Sequence, residues 1–232
     1  MIEDPPLLTV QSDFERPTAA AVKALAGAPT GHLVDALGGH GALDHRIKPV
    51  TQAPPADQVF CGVAVTCDCG PADNLAVFAA LEATRPGDVI VAATGAYMGC
   101  ALIGDLLLGM ARNCGALAFV TDGLARDLDG LEAVGIPVFC RGISPNSPAR
   151  NGPGKVGLPV HLGGMTVASG DVVAGDRDGV VVVPRARIAE VAQALEKIRE
   201  AEAGLEAKVQ GGLKIPDFVA DLLGSDRVRR LD

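Results

Sequence analysis

The sequence predicts one α/β domain with peripheral helices at its amino and carboxyl ends. Three observations carry that reading. Between residues 59 and 93 a β-branched run, an alanine-rich segment and a second apolar run follow one another as a β-α-β unit. The 29 glycines and 16 prolines are scattered among apolar runs, as turn formers are, and build no low-complexity block. Nothing repeats at a period of about 20 to 50 residues, which excludes solenoids and propellers.

Taken in order, Thr18 to Ala28 and Gly31 to Leu37 have helix-favouring composition, broken by Gly27, Pro29 and the Gly38-Gly39 pair, and are read as two short helices. Val59 to Cys67 is a strand closed by Gly70-Pro71. Asp73 is expected to cap a helix over Asn74 to Glu82, and Pro86-Gly87 turns the chain into a strand at Asp88 to Ala93. Asp73-Asn74 is thus a helix start first and a neighbour of a site second. A glycine-rich turn, Thr94 to Gly99, leads to a helix over Gly104 to Asn113 in which Leu106, Leu107, Met110 and Ala111 recur at helical spacing. Gly115 ends it, and Ala116 to Thr121 is a strand. The polar run Asp122 to Asp127 leaves its carboxyl end, where α/β proteins gather ligands.

Pro137 to Arg141 reads as a further strand and Gly142 to Gly157 as a loop. Short strands follow at Val160 to Leu162, Met165 to Val167, Val172 to Ala174 and Val180 to Val183, with Asp176 to Gly179 as a polar hairpin turn. Pro184 opens a long helix whose Ile188, Val191, Leu195, Ile198, Leu205 and Val209 mark one stripe. Glu202 falls on that stripe. A carboxylate in an apolar seam is costly unless paired or wet, so either Arg199 satisfies it or it works across an interface. The main domain is drawn over residues 1–210. The arm over 211–232, with Ile215, Phe218, Val219, Leu222 and Leu223, is too apolar for a solvated tail and is expected to pack, on a neighbouring subunit among the choices.

Composition narrows the function. With 20 basic against 28 acidic residues, a net charge of −8, no tryptophan and one tyrosine, the chain lacks the charge and the stacking platforms of a nucleic-acid binder. No apolar stretch approaches the roughly 20 residues of a membrane span, and MIEDPPLLTV has no signal-peptide character, so a cytoplasmic location away from membranes is expected. The six cysteines lie mostly in apolar runs without paired zinc spacing and read as buried thiols; Cys67-Asp68-Cys69 is a weak redox or metal candidate. Walker, GxSxG and HExxH signatures are absent, and a Rossmann reading fails because no GxGxxG joins a strand to a helix.

What remains is Gly104-Asp105-Leu106-Leu107 at a helix start and Asp122-Gly123-x-x-Arg126-Asp127 at a strand end. The amides of Gly104 to Leu107 can hold a carboxylate, with Asp105 beside it. Arg126 offers a planar fork for a carboxylate or enolate oxygen, and Asp127 an oxygen ligand for a hard divalent ion that keeps most of its waters. Equally open is a plain surface turn in which Asp127 caps the next helix. Asp122 is expected to anchor Arg126 from behind, and Gly123 to permit a turn that a side chain would block.

The string GDLLLGMARNCGALAFVTDGLARDL resembles the core motif of the RraA-like family, which includes class II pyruvate aldolases acting on 4-hydroxy-4-methyl-2-oxoglutarate and 4-carboxy-4-hydroxy-2-oxoadipate. DALGGHGALDHRIKPV, PADNLAVFAALEATRPGDVIV and GDVVAGDRDGVVVVPRARIAEV resemble family blocks in the same order, and together they span about residues 30 to 200. The resemblance implies a swivelling β/β/α fold assembled as a trimer or hexamer with active sites between subunits. It further implies Mg²⁺ or Mn²⁺ on Asp127, substrate binding by Arg126, a proton-transfer water oriented by Asp105, and a pyruvyl carboxylate on the amides of Gly104, Asp105, Leu106 and Leu107. A glutamate reaching a neighbouring subunit's site is implied too; Glu202 is the candidate, with Glu200 close by.

The function expected from this resemblance is retro-aldol cleavage of a 4-hydroxy-2-oxo diacid to pyruvate, accompanied by oxaloacetate decarboxylation. Arg141, Arg150, Lys155 and a residue of another subunit are all open as partners of the second carboxylate. The family also holds a protein inhibitor of a ribonuclease, a non-catalytic alternative. Retention of Gly104, Asp105, Arg126 and Asp127 together favours the enzyme. A methyl-donor site, by contrast, has no glycine-rich strand-to-helix loop to sit on.

Overall fold

A computed structural model of the chain describes residues 5–51 and 59–231. The start of the amino terminus and Asp232 of the carboxyl-terminal arm lie outside the described residues. Two compact units are present, one ending at Leu195 and one beginning at Glu196.

The first unit begins with β1 (Leu8–Val10), α1 (Ala19–Leu25), α2 (Thr30–Ala36) and β2 (Lys48–Pro49). β3 (Phe60–Asp68), α3 (Leu75–Ala83) and β4 (Asp88–Ala93) form the expected β-α-β unit. β5 (Ala101–Ile103), α4 (Asp105–Asn113), β6 (Ala118–Thr121), β7 (Leu124–Ala125), α5 (Leu128–Val134) and β8 (Val138–Cys140) follow. β9 (Gly154–Val156), β10 (Val160–Leu162), β11 (Met165–Val167), β12 (Val172–Asp176) and β13 (Gly179–Val183) complete the strands, and a 3₁₀ turn at Arg185–Arg187 leads into α6 (Ile188–Gln210).

Among the described residues the main sheet has nine strands. Its path is β1-β9-β3-β4-β6-β8-β2, with β12 pairing β3 and β13. β3, β4, β6 and β8 run parallel at its centre. All six residues of β4 are buried because apolar layers cover both faces. Ile90 and Ala92 pack with Phe119, Leu107, Leu108 and Leu131 towards the helices. Val89, Val91 and Ala93 pack with Phe139, Phe60, Val180 and Val182 on the other side. The period of two in the strand sequences therefore divides one sheet between two cores.

Several short elements depart from the sequence expectation. β9 lies inside the stretch read as a loop, where Gly154 to Val156 bridges β1 and β3. β1, β2, β5, β7 and α5 are two to seven residues long and depend on their neighbours more than on local propensity. Asp73 does not itself occupy the cap of α3, since Asn74 does. Its carboxylate still receives Leu75 N–H at 2.8 Å, and its other oxygen takes Asn151 N–H at 2.5 Å and Gly152 N–H at 3.0 Å, stapling a distant loop to the helix start. The 176–179 turn is the expected hairpin, and Asp176 also holds Thr30 N–H and Oγ1, both at 2.8 Å.

All six cysteines are free thiols. Burial pushes the Cys61 and Cys140 thiols up to about 11, and the thiol of Cys69 is raised by its hydrogen bond to Cys67 and by burial.

The second unit contains the rest of α6 and α7 (Asp217–Leu223). Of the stripe on α6, Ile188, Val191 and Leu195 are buried in the first unit, whereas Leu205 and Val209 are exposed. Glu202, on the same stripe, is exposed as well. Phe218 on α7 is 73% exposed.

Phe119, fully buried where the helical layer meets β6, is the sharpest test of the core. Phe119→Ala is expected to lower unfolding free energy by about 3 to 5 kcal/mol, read from the urea midpoint at unchanged slope.

Candidate active site

β5 and β7 are parallel neighbours, with Ala101 opposite Leu124 and Ile103 opposite Ala125. Each strand ends where a helix starts, so Gly104-Asp105 and Arg126-Asp127 emerge side by side, and Arg126 N–H donates to Ile103 C=O at 3.0 Å. The two segments singled out in the sequence therefore meet in space. Gly104 has extended backbone, so its torsions would suit any residue. Space is what demands glycine: a β-carbon there would stand 2.5 Å from Asp127 Oδ2 and 3.1 Å from Arg126 Nε. Gly130 on α5 is constrained likewise, its missing β-carbon falling 2.6 Å from the Asp105 side chain.

A cavity of about 320 Å³ opens at this junction, lined by Gly104, Asp105, Leu106, Leu107, Arg126 and Asp127 together with Asn74, Phe78, Met110, Ser147 and Arg150. Arg126 Nε lies 3.1 Å from Asp127 Oδ2, and its Nη1 donates to Ser147 Oγ at 2.5 Å. Asp127 stands at the first position before α5 in left-handed backbone, φ 60° and ψ 50°, but its side chain makes no capping hydrogen bond. Half of the plain capping reading therefore holds, the position, while the carboxylate itself faces Arg126 and the cavity.

Asp105 Oδ1 accepts the N–H of Leu106 at 2.7 Å. One amide of the expected carboxylate cradle is thus already engaged, by the neighbouring acid. Asp122 does not anchor Arg126, contrary to expectation. Its buried carboxylate instead takes Thr94 N–H at 2.7 Å, Thr94 Oγ1 at 3.0 Å and Ala96 N–H at 2.8 Å, and so shapes the turn after β4. Gly123 leaves room for Thr94, whose Cγ2 would lie 2.9 Å from a β-carbon. Of the three basic candidates for a second carboxylate, Arg150 lines the cavity, stacked 5.1 Å from the Phe78 ring centroid. Arg141 lines a different cavity, and Lys155 is 3.8 Å from Asp68.

Ser147 and Phe78 were not legible as site residues; the loop that carries Ser147 reaches the cavity through Ala101 N–H to Asn146 C=O at 2.9 Å, a tertiary contact without a local signal. Among the described residues no group of three or more His, Cys, Asp or Glu side chains is placed to hold a metal, and no helix is long and apolar enough to cross a membrane. Any ion here would rest on one or two carboxylates plus water, an arrangement suited to Mg²⁺.

Residues 30–182 match the RraA-like family (Aldolase/RraA), and the chain belongs to it. Over 180 residues, 78% of this chain and 82% of the relative, it is 38% identical to the Halalkalibacterium halodurans protein named "Putative 4-hydroxy-4-methyl-2-oxoglutarate aldolase". Among solved structures, an uncharacterized protein from Pseudomonas syringae matches with TM-score 0.74 at 25% identity, over 87% of this chain and 97% of that one. A Streptomyces coelicolor member of the RNase ES inhibitor RraA protein family matches with TM-score 0.71 at 26% identity, over 84% and 99%. These matches bear out the RraA-like fold.

Gly104→Ala sets a β-carbon against the Asp127 carboxylate and the Arg126 side chain, which must shift, while leaving the helix propensity of α4 intact. It is expected to preserve the circular dichroism spectrum and to lower the unfolding free energy by about 1 to 3 kcal/mol, read from the urea midpoint.

Proposed function

We propose that this chain is a divalent-metal-dependent lyase that cleaves a 4-hydroxy-2-oxo diacid, such as 4-hydroxy-4-methyl-2-oxoglutarate or 4-carboxy-4-hydroxy-2-oxoadipate, into pyruvate and a second 2-oxo acid. The observation that carries this reading is the cavity where Arg126 and Asp127 face the first turn of α4. The name of the Halalkalibacterium halodurans relative supports the aldolase class.

Asp127 fits a hard cation: its carboxylate is partly exposed at the cavity and is not used by its own helix. Mg²⁺ or Mn²⁺ held there, largely through water, would supply Lewis-acid polarisation of the 2-keto group. The chain's own groups do the rest. Amides at the start of α4 receive the pyruvyl carboxylate, and Arg126 neutralises the charge that grows on the enolate oxygen. Because Asp105 holds Leu106 N–H at 2.7 Å, a carboxylate that takes this amide displaces Asp105 and frees it to act. Through a water, Asp105 then receives the proton of the 4-hydroxyl. The C3–C4 bonding pair passes into the enolate, C4 becomes a carbonyl, and protonation at C3 gives pyruvate. Arg150, flattened on Phe78, takes the distal carboxylate. The same enolate chemistry decarboxylates oxaloacetate.

The working form is a homotrimer or hexamer. The exposed Leu205 and Val209 beside Glu202 support a contact along this helix, with Glu202 entering a neighbouring subunit's site. A second reading, a non-catalytic inhibitor of a ribonuclease, is favoured by the likeness to the Streptomyces coelicolor protein.

Pyruvate release from 4-hydroxy-4-methyl-2-oxoglutarate and oxaloacetate tests the proposal. Arg126→Ala and Asp127→Ala are each expected to lower kcat/KM by about a hundredfold or more, and EDTA to abolish turnover until Mg²⁺ or Mn²⁺ is restored. Arg150→Ala is expected chiefly to raise KM for the hydroxy diacid. Near wild-type turnover in both site variants would sink the assignment, and capture of a ribonuclease by an enzymatically silent protein would establish the second reading.

A further inference from the structure

The parallel strands β4, β6 and β8 deliver their carboxyl ends to a second cavity, of about 260 Å³, that shares no lining residue with the first. Ala96 comes from the turn after β4, Asp122 directly follows β6 and Arg141 directly follows β8, with Asp44, Arg46 and His161 also on the wall. Carboxyl ends of parallel strands are where open α/β sheets receive ligands. The carboxylates here are already served. Asp44 takes Arg46 Nε at 2.9 and 3.1 Å on its two oxygens, so these opposite charges cancel in contact. Asp122 takes the donors of Thr94 and Ala96. Arg141 is different. Its backbone N–H donates to Gly123 C=O at 2.9 Å, which fixes where the side chain starts, yet among the described residues its guanidinium makes no hydrogen bond and no ion pair, and Nε is buried without an acceptor.

A half-buried guanidinium gives up part of its hydration, and an acceptor oxygen restores what is lost. Nε is closed to any ligand, but the terminal nitrogens carry the remaining N–H donors of a residue that lines the cavity. Their planar fork matches the two oxygens of a carboxylate. Charge then chooses among oxyanions. With Arg46 spent on Asp44, the cation of Arg141 shares the wall with the anion of Asp122, so a monoanion is accommodated and a dianion such as phosphate is disfavoured. The volume admits a few carbon atoms besides the carboxylate. We infer that this cavity is a second anion site, which takes a small organic monocarboxylate on Arg141, with His161 as a further donor beside it. The inference stands on this cavity alone and holds whether or not the chain is a lyase.

The test titrates the full chain with propionate and, separately, with inorganic phosphate, in the presence of EDTA, and follows backbone amide shifts by NMR. Propionate is expected to move the amides of Gly95, Ala96, Gly163 and Gly164, which line this cavity, and to saturate with a Kd of about 1 to 10 mM. Phosphate binds there at least about tenfold more weakly. Arg141→Gln weakens propionate by about tenfold or more, Arg141→Lys, which keeps the charge and loses the fork, by about threefold, and Arg126→Ala leaves the Kd at this cavity unchanged. The Arg141→Lys variant and the wild-type shift map decide the matter where Arg141→Gln does not fold. Shifts confined to Leu106 and Leu107 of the first cavity, shifts that never saturate, a Kd untouched in both Arg141 variants, or phosphate binding as tightly as propionate each overturn the inference. Absence of any response in wild type, with a smaller mass by light scattering for Arg141→Gln, overturns it too and gives the guanidinium to a carboxylate of a second copy of the chain.

Discussion

Everything in the first unit depends on a sheet whose parallel centre is covered on both sides. β4 has no face left for solvent, so its chemistry must be apolar throughout, and polar work is pushed out to the turns beyond the strand ends. Asp122 shows how tightly those turns are held: three hydrogen bonds from Thr94 and Ala96 tie the end of β6 to the end of β4. The small β5–β7 pair extends this logic by placing two strand ends, and hence two helix starts, next to each other.

The site so formed is a set of competing hydrogen bonds. Arg126 is shared between Asp127 and Ser147, and Asp105 occupies an amide that a bound anion would claim. Partial exposure of the Arg126–Asp127 pair keeps its intrinsic energy small, so it can reorganise around a ligand. Charges of both signs converge on the same cavity, with Asn74 and Phe78 completing its wall.

How much of this was legible follows from where the information lies. The β-α-β unit, the helix at Asp105 and the strand before Asp122 announce themselves because hydrophobic periodicity and glycine stops are local signals. Gly104, Asp105, Arg126 and Asp127 could be singled out as residue types suited to carboxylate and metal chemistry, and the strand pairing brings them together. Asp122 was misplaced because a run of polar residues looks like one cluster, although alternate positions at a strand end point to different neighbours. Ser147 and Arg150 come from a loop anchored by Asp73, a bond between residues more than 70 positions apart that no window on the sequence reveals. The apolar stripe of α6 continues in the sequence past Leu195, yet Leu205 and Val209 are exposed, because a helical stripe shows what is apolar and not what covers it.

Asp127 holds a left-handed backbone conformation that favours glycine over any residue with a β-carbon. Selection for thermal robustness alone would therefore drift towards glycine at this position, and the same exchange would delete the carboxylate from the cavity. Stability and chemistry pull in opposite directions at a single codon, so a library screened only for heat resistance should be enriched in well-folded proteins with an emptied site.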